Sequence, residues 1–366
     1  MRCRWKASVR TSRTSPCYRL LAWFPVAYRD SSITRPSVLS LGMKPTDNVT
    51  HSSSITRGLL FGALGVLAFS FTFPATRAAV AELDATFVGL GRALVAAMLA
   101  AALLVFLGER APERRHLGRI ALVAVGVVVG FPLFSALALK DLPSAHGAVI
   151  VGLLPAATAV MAVLRAGERP SRGFWFACAF GLVAVLVFAV IEGAGRPQAA
   201  DALVLLAVLL GAVGYAEGGV LAREIGGWRV ICWALLFSAP LVLPAVALEL
   251  LWVGPSAALS GGFGAWLGFA YVSTVSMFLG FFAWYRGLAE GGVARVGQLQ
   301  LAQPLLTFLW SALLLGEEVG PLTVLAGALV LLSVGLGQRT RVRRVALPGH
   351  AFGVSGTGRQ EEWDGD

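Results

Sequence analysis

An all-α integral membrane fold, with ten transmembrane helices built as two inverted five-helix repeats, is predicted by three features of this 366-residue sequence. Its residues are 57% hydrophobic and 14% charged, whereas soluble domains carry roughly 25% charged residues. A chain so apolar cannot cover itself in water. From Gly58 onward, apolar runs long enough to cross about 30 Å of hydrocarbon at about 1.5 Å per residue follow one another. Finally, the chain matches itself at a shift of 149 residues.

The runs predict spans at 58–80, 85–107, 119–139, 143–165, 173–191, 201–222, 228–252, 263–285, 292–315 and 319–337. Backbone groups in lipid must be satisfied within the chain, and runs of this length do so as helices rather than barrel strands. The 43 glycines and 17 prolines fall largely within Leu, Val, Ala and Phe runs, where membrane helices tolerate them. Several breaks are too short to hold a domain, so one bundle is expected, with a first repeat over 57–191 and a second over 201–338. Residues 1–56 are rich in Arg, Ser and Thr and lack the apolar centre of a secretory signal. They read as a disordered basic tail, with 1–42 alternatively lying upstream of a second start at Met43 or forming an organellar leader. Residues 339–366 read as a disordered cytoplasmic tail.

The net charge of +10 does not point to nucleic acid, because the basic residues are scattered between apolar blocks and gathered in the tails. Their placement instead orients the bundle. With the N-terminus in the cytoplasm, the inner loops hold Arg110, Arg114, Arg115, Arg119, Arg165, Arg169, Arg172, Arg223, Arg229 and Arg286, and Arg339, Arg341, Arg343 and Arg344 follow the last span. The outer side holds Arg77, Lys140 and Arg196 together with Glu82, Asp84, Glu317 and Glu318. That asymmetry fits the positive-inside rule, both termini cytoplasmic.

The shift of 149 residues lays Pro155 on Pro304, Thr158 on Thr307 and Gly167-Glu168 on Gly316-Glu317. Ala145, Ala177 and Ala179 fall on Ala294, Ala326 and Ala328, but alanine pairs arise readily in so biased a chain, so the proline and the Gly-Glu pair carry the weight. Five spans per repeat is an odd number, so the halves must lie in opposite orientations, the design of many secondary transporters. Cys3, Cys17, Cys178 and Cys232 have no metal-ligand spacing and imply no disulfide framework. The sequence holds no Walker loop, HExxH helix or DDxxD-type cluster. No metal, cofactor or enzymatic chemistry is therefore expected, and a gradient would have to supply the energy for transport.

The segments FVGLGRALVAA, with Arg92, ALALKDLPSAHGAVIVGLLPAATAVMAVLRAGERPS and, in the second half, VSTVSMFLGFFAWYRGLAEGGVARVGQLQLAQPLLTFLWSALLLGEEVGPLTVLAGALVLLSVGL resemble the EamA-type branch of the drug/metabolite transporter superfamily. The resemblance covers about 58–338, and the Pro-then-Gly-Glu arrangement of both halves is its most specific part. It implies inverted repeats, a central cavity, and export of metabolites, amino acids or drug-like compounds across a cell membrane, with lipid and a small-molecule substrate as partners and a monomer or homodimer as the assembly.

A charge at the bilayer centre costs about 2.5–3.5 kcal/mol on insertion scales, which makes each intramembrane polar residue a candidate for function. Arg92 lies about two turns inside the second span, either as a cavity cation for anionic or zwitterionic substrates or as a packing partner for a carboxylate or carbonyls. Glu217 is a candidate for protonation in lipid, for pairing with an Arg, Arg223 being near, or for proton exchange during transport. His146 reads as an interfacial residue or a second proton-coupling candidate. Gln300 and Gln303 fall within about 60° of each other on a helix, while Gln298 points almost opposite to Gln300. Gln300 and Gln303 are candidates for a substrate face or for interhelical bonds. Trp284, with Phe278, Phe281, Phe282 and Tyr285, would pack a substrate or serve the commoner lipid-facing and interfacial duty. Pro155 and Pro304 are candidate hinges. Glu168 and Glu317 end their spans as structural caps or turn residues and need a specific partner, because a carboxylate opposes the dipole of a helix C-terminus. Alternatives to a transporter are a membrane-embedded enzyme or sensor using the bundle as scaffold, which would need a clustered reactive site that the sequence lacks, and a passive channel.

Overall fold

The computed structural model describes residues 47–142, 144–191 and 199–315, and beyond them 325, 328, 329, 332, 333, 335–337, 339, 340 and 342–344. Glu317, most of the tenth predicted span, the tails up to residue 46 and after 344, and the His146 side chain lie outside the described residues. The helices are α1 (Ser54–Val80), α2 (Phe87–Phe106), α3 (Arg114–Asp141), α4 (Ser144–Val151), α5 (Leu154–Ala166), α6 (Arg172–Ile191), α7 (Ala199–Ile225), α8 (Gly227–Val253), α9 (Phe263–Gly291), α10 (Val293–Gly297) and α11 (Gln303–Leu315). Six of these, α1, α2, α3, α7, α8 and α9, are long and apolar enough to cross a membrane. The chain is an all-α, multi-pass membrane protein, and side chains such as Leu64, Phe106, Leu209 and Leu251 stand exposed on its outside, where lipid replaces water.

Besides a one-residue turn at Phe71 within α1, two predicted spans depart further from continuous helices. Residues 143–165 form α4 and α5 with a turn at Gly152-Leu153, and 292–315 form α10 and α11 joined by a 3₁₀ turn over Gln298–Ala302. Pro155 and Pro304 have no N–H to offer the carbonyls of Val151 and Gln300, and their rings crowd those same carbonyls. Each proline takes the second position of the downstream helix, where the missing donor is one that a helix start leaves unused anyway.

Glycine sets the closest approaches. Gly58 and Gly62 on α1 face Gly287 and Gly291 on α9, so that a Cβ on Gly287 would stand 2.6 Å from the Gly62 nitrogen and 2.9 Å from the Gly58 oxygen. On α3 and α7, a Cβ on Gly126 would stand 2.6 Å from the Leu210 oxygen and 3.0 Å from the Gly214 Cα. Lipid provides no hydrophobic drive between helices, so close backbone packing takes its place.

At the end of the bundle away from the arginine-rich loops, Asp84 accepts the Phe87 N–H at 2.7 Å and caps α2. There too, Glu82 accepts the Gly262 N–H at 2.6 Å, and Arg77 donates to the carbonyls of Leu139 and Lys140 as α3 ends. At the arginine-rich end a short antiparallel pair joins β1 (Glu168–Pro170) to β2 (Val342–Arg344). Three residues of the stretch expected to be disordered are thus ordered, because the extended turn between α5 and α6 offers them a free backbone edge. Arg295 supports the same segment by donating to the Thr340 carbonyl at 2.8 Å.

The seam predicts that Gly287→Ala forces α1 and α9 apart and costs about 1–3 kcal/mol, as overpacking does in tight cores. Gly118→Ala, on an α3 surface with nothing within 4 Å, should leave the melting temperature in detergent unchanged or slightly raised. Equal melting of the two variants would remove the seam from the list of stabilising contacts.

Candidate functional site

Three helices depart from α geometry along part of their length. They carry π turns at Phe87–Gly91 in α2, Ala124–Gly130 in α3 and Val272–Leu279 in α9, and the 3₁₀ turn before α11 lies in the same neighbourhood. Such turns widen a helix locally and free backbone and side-chain positions, often at functional sites. Here they surround a hollow lined by Arg92, Thr72, Tyr215, Ser276, Phe281 and Gln303, with Phe69, Val127, Phe131 and Met277 completing its wall. About 20 Å³ is open to water centres, room for roughly one water. The Thr72 and Ser276 hydroxyls bond each other at 2.8 Å across it.

Arg92 is 1% exposed. Its Nε and Nη1 have no hydrogen-bond partner among the described residues, and none of the residues lining the hollow is acidic. Its polar neighbour is the Tyr215 phenol, which also lies against Gln300. The Gln303 Oε1 and both amide atoms of Gln300 likewise lack a well-aligned partner. A buried polar group left without a partner costs about 1–3 kcal/mol, and a charged one more. The site therefore concentrates unmet hydrogen-bonding capacity.

The predicted residues separate by depth. Arg92 and Gln303 line the hollow, whereas Gln300 stands a layer back against Tyr215. Trp284, expected as a cavity wall, is fully buried behind that wall, its ring centroid 5.3 Å from Tyr215 and 5.9 Å from Phe69. Phe281 lines the hollow and Phe278, Trp284 and Tyr285 are buried, while Phe282 is half-buried, so four of the five aromatics serve the interior. Gln298 turns away and donates to the Cys178 sulfur at 3.4 Å, consistent with its pointing opposite to Gln300. Sequence reasoning did not select Tyr215, Thr72, Ser276 or Phe69, because hydroxyls and aromatics are ordinary in membrane helices and the π turn that carries Ser276 has no sequence mark.

Glu217 lies outside the hollow. It is 3% exposed and pairs with Arg165 Nε and, at 3.8 Å, with Arg119 Nε, not with Arg223. Arg223 is drawn instead to Glu168, which is fully buried and receives Arg223 Nη2 at 2.9 Å, the Val293 N–H at 2.9 Å and the Ala294 N–H at 2.8 Å. Gly167, in the left-handed region at φ 63°, ends α5 and turns the chain so that Glu168 reaches the start of α10. Glu168 is thus a cap, as expected, but for a helix 125 residues away. Beside it, Glu224 binds Arg119 at 2.9 Å and His116 at 3.1 Å, and Arg229 grips Glu109 through Nε and Nη2 at 2.9 and 2.6 Å. Each of these ion pairs joins a residue before position 191 to one after position 199, and all lie at the arginine-rich end.

A multi-pass helical bundle closed around a buried, polar, unsatisfied hollow is built as membrane transporters are. The EamA-like transporter family matches this chain twice, over residues 56–190 and 198–336, and the chain belongs to that family, as a transporter and not an enzyme. It is 45% identical over 284 residues to a Bacillus subtilis (strain 168) protein named uncharacterized transporter YdeK, covering 78% of this chain and 98% of that one. It is 27% identical over 299 residues to a Streptantibioticus cattleyicolor protein named "Probable terminal-alkyne amino-acid exporter", covering 78% and 96%. A solved crystal structure shares the fold, with TM-score 0.61 at 18% identity over 77% of this chain and 98% of its own.

Breaking a buried ion pair from one side typically costs about 3–5 kcal/mol. Glu168→Ala, which strands Arg223 and two backbone N–H groups, should lower thermal stability in detergent by an amount of that order. Glu168→Gln keeps an acceptor oxygen for α10 and should lose clearly less. Scanning fluorimetry of both variants checks the ranking, and equal melting would argue against the cap.

Proposed function

We propose that this chain is a secondary transporter of ten spans, arranged as two inverted five-helix repeats, that opens its hollow alternately to the two sides of the cell membrane. The arginine-rich end and both termini face the cytoplasm, a reading supported by the positive-inside bias. The observation that carries the proposal is the contrast between that end and the hollow. The ion pairs there, Glu168–Arg223 and Glu217–Arg165 among them, bridge the two family-matched stretches and hold the mouth shut, while the polar hollow sits enclosed above them. Opening inward requires these bridges to part. The breaks before Pro155 and Pro304 are natural bending points for that motion.

In this reading Glu217 is part of a closure and not a proton carrier. The cargo is a small metabolite, amino acid or drug-like compound moved outward. The name of the Streptantibioticus relative favours amino acids within that group.

Charge reversal tests the closure. In a chain with its own cysteines replaced and Ser276→Cys placed in the hollow, Arg165→Glu or Glu217→Arg alone should raise maleimide labelling from the arginine-rich side several-fold. The double reversal should restore the wild-type rate. Labelling indifferent to all three variants would remove the ionic closure, and labelling of Ser276→Cys from one side alone in every condition would remove alternating access.

A further inference from the structure

We infer that the hollow recognises a carboxylate through Arg92, and that its cargo is an amphiphilic monocarboxylate, neutral amino acids included, to the exclusion of organic cations. The inference rests on the hollow being the transport site and names the chemical group that the site selects.

The protein's treatment of its other arginines makes the case. Arg119, Arg165, Arg223, Arg229 and Arg286 each have a carboxylate partner, and Arg77 is held by two carbonyls. These residues lie toward the ends of the bundle, where water would ease an unmet charge. Arg92 sits in the interior at 1% exposure with two nitrogens unpartnered, where a missing counter-charge is most costly. An internal carboxylate would have been the simple solution, yet the hollow's lining contains none among the described residues. The complementary anion must therefore arrive with the ligand. A guanidinium presents a planar fork that matches a carboxylate in two parallel hydrogen bonds.

The remaining groups define the rest of the ligand. The Gln303 Oε1, without a partner among the described residues, and the hydroxyls of Tyr215, Thr72 and Ser276 are neutral acceptors. They can take the N–H groups of an ammonium that is already paired to a carboxylate in the same molecule, but they offer no charge to a lone cation, which Arg92 would repel. Phe69, Phe131, Phe281, Val127 and Met277 supply apolar wall for a hydrocarbon tail. The narrowness of the hollow means that these walls part to admit it.

Four probes that share one branched tail separate the possibilities: L-leucine, 4-methylpentanoate, leucinamide and 3-methylbutylamine. Thermal stabilisation of the purified wild-type protein in detergent should appear with the two carboxylates. The amide and the amine should bind at least about tenfold more weakly. Arg92→Lys should keep the ranking at reduced affinity and Arg92→Met should erase it. Leucinamide or the amine binding as well as leucine overturns the inference, as does absence of stabilisation by either carboxylate. The wild-type ranking decides alone should Arg92→Met fail to fold. Failure of the underlying reading is distinguishable, because carboxylate-selective binding with Ser276→Cys labelled from one side only would leave the anion site standing and sink the transport cycle. Two-sided labelling without carboxylate preference would do the reverse.

Discussion

A helix that begins inside a membrane protein presents backbone N–H groups with no carbonyl behind them, and hydrocarbon supplies no water to satisfy them. The start of α10 is such a place, and the Glu168 carboxylate answers it by accepting two of those N–H groups together with an Arg223 nitrogen. Much of the local architecture follows from that one carboxylate. Gly167 turns the chain to deliver it, β1 continues directly from it to pair with β2, and Arg295 of α10 secures the same trailing segment. Cap, ion pair and strand share a single buried side chain, so whatever lifts α10 away from α5 disturbs all three at once.

Charge is sorted along the bundle axis. The arginine-rich end pairs acids and bases across the two matched stretches, its arginines partly exposed and two of its carboxylates, Glu168 and Glu217, buried. The interior instead holds neutral amides and hydroxyls around one guanidinium. Separation of this kind lets one end form and dissolve while the selective groups keep their places. The π turns that frame those groups sit on three different helices, which gives the hollow a rim able to tighten or slacken without unwinding a whole span.

The positions of the long helices were legible because apolar length translates directly into bilayer thickness; the run at 228–252 became Gly227–Val253 and the run at 201–222 became Ala199–Ile225. The interruptions at 152–153 and 298–302 were not, since apolar periodicity continues through both and the prolines announce weakness without saying how far a helix yields. Arg92 and Gln303 could be singled out because a charge or amide so deep must face protein. Trp284 could not be separated from Phe281 by composition, because both are buried aromatics of α9 and only the packing shows which one reaches the hollow. Arg223 is the arginine nearest to Glu217 in sequence, but the fold brings Arg165 to it from another helix. Contacts made by chain segments more than fifty residues apart leave no trace in local spacing.

The two glycine seams divide the molecule differently from its sequence. Gly58 and Gly62 of the first matched stretch touch Gly287 and Gly291 of the second, and Gly126 of the first touches the backbone of α7 in the second. Each seam therefore welds a helix from one half to a helix from the other at backbone distance. Halves bound in this crosswise manner cannot swing apart as two independent blocks without tearing both welds. In the proposed cycle the seams would serve as a pair of fixed axles, with displacement left to the short segments α4, α5, α10 and α11.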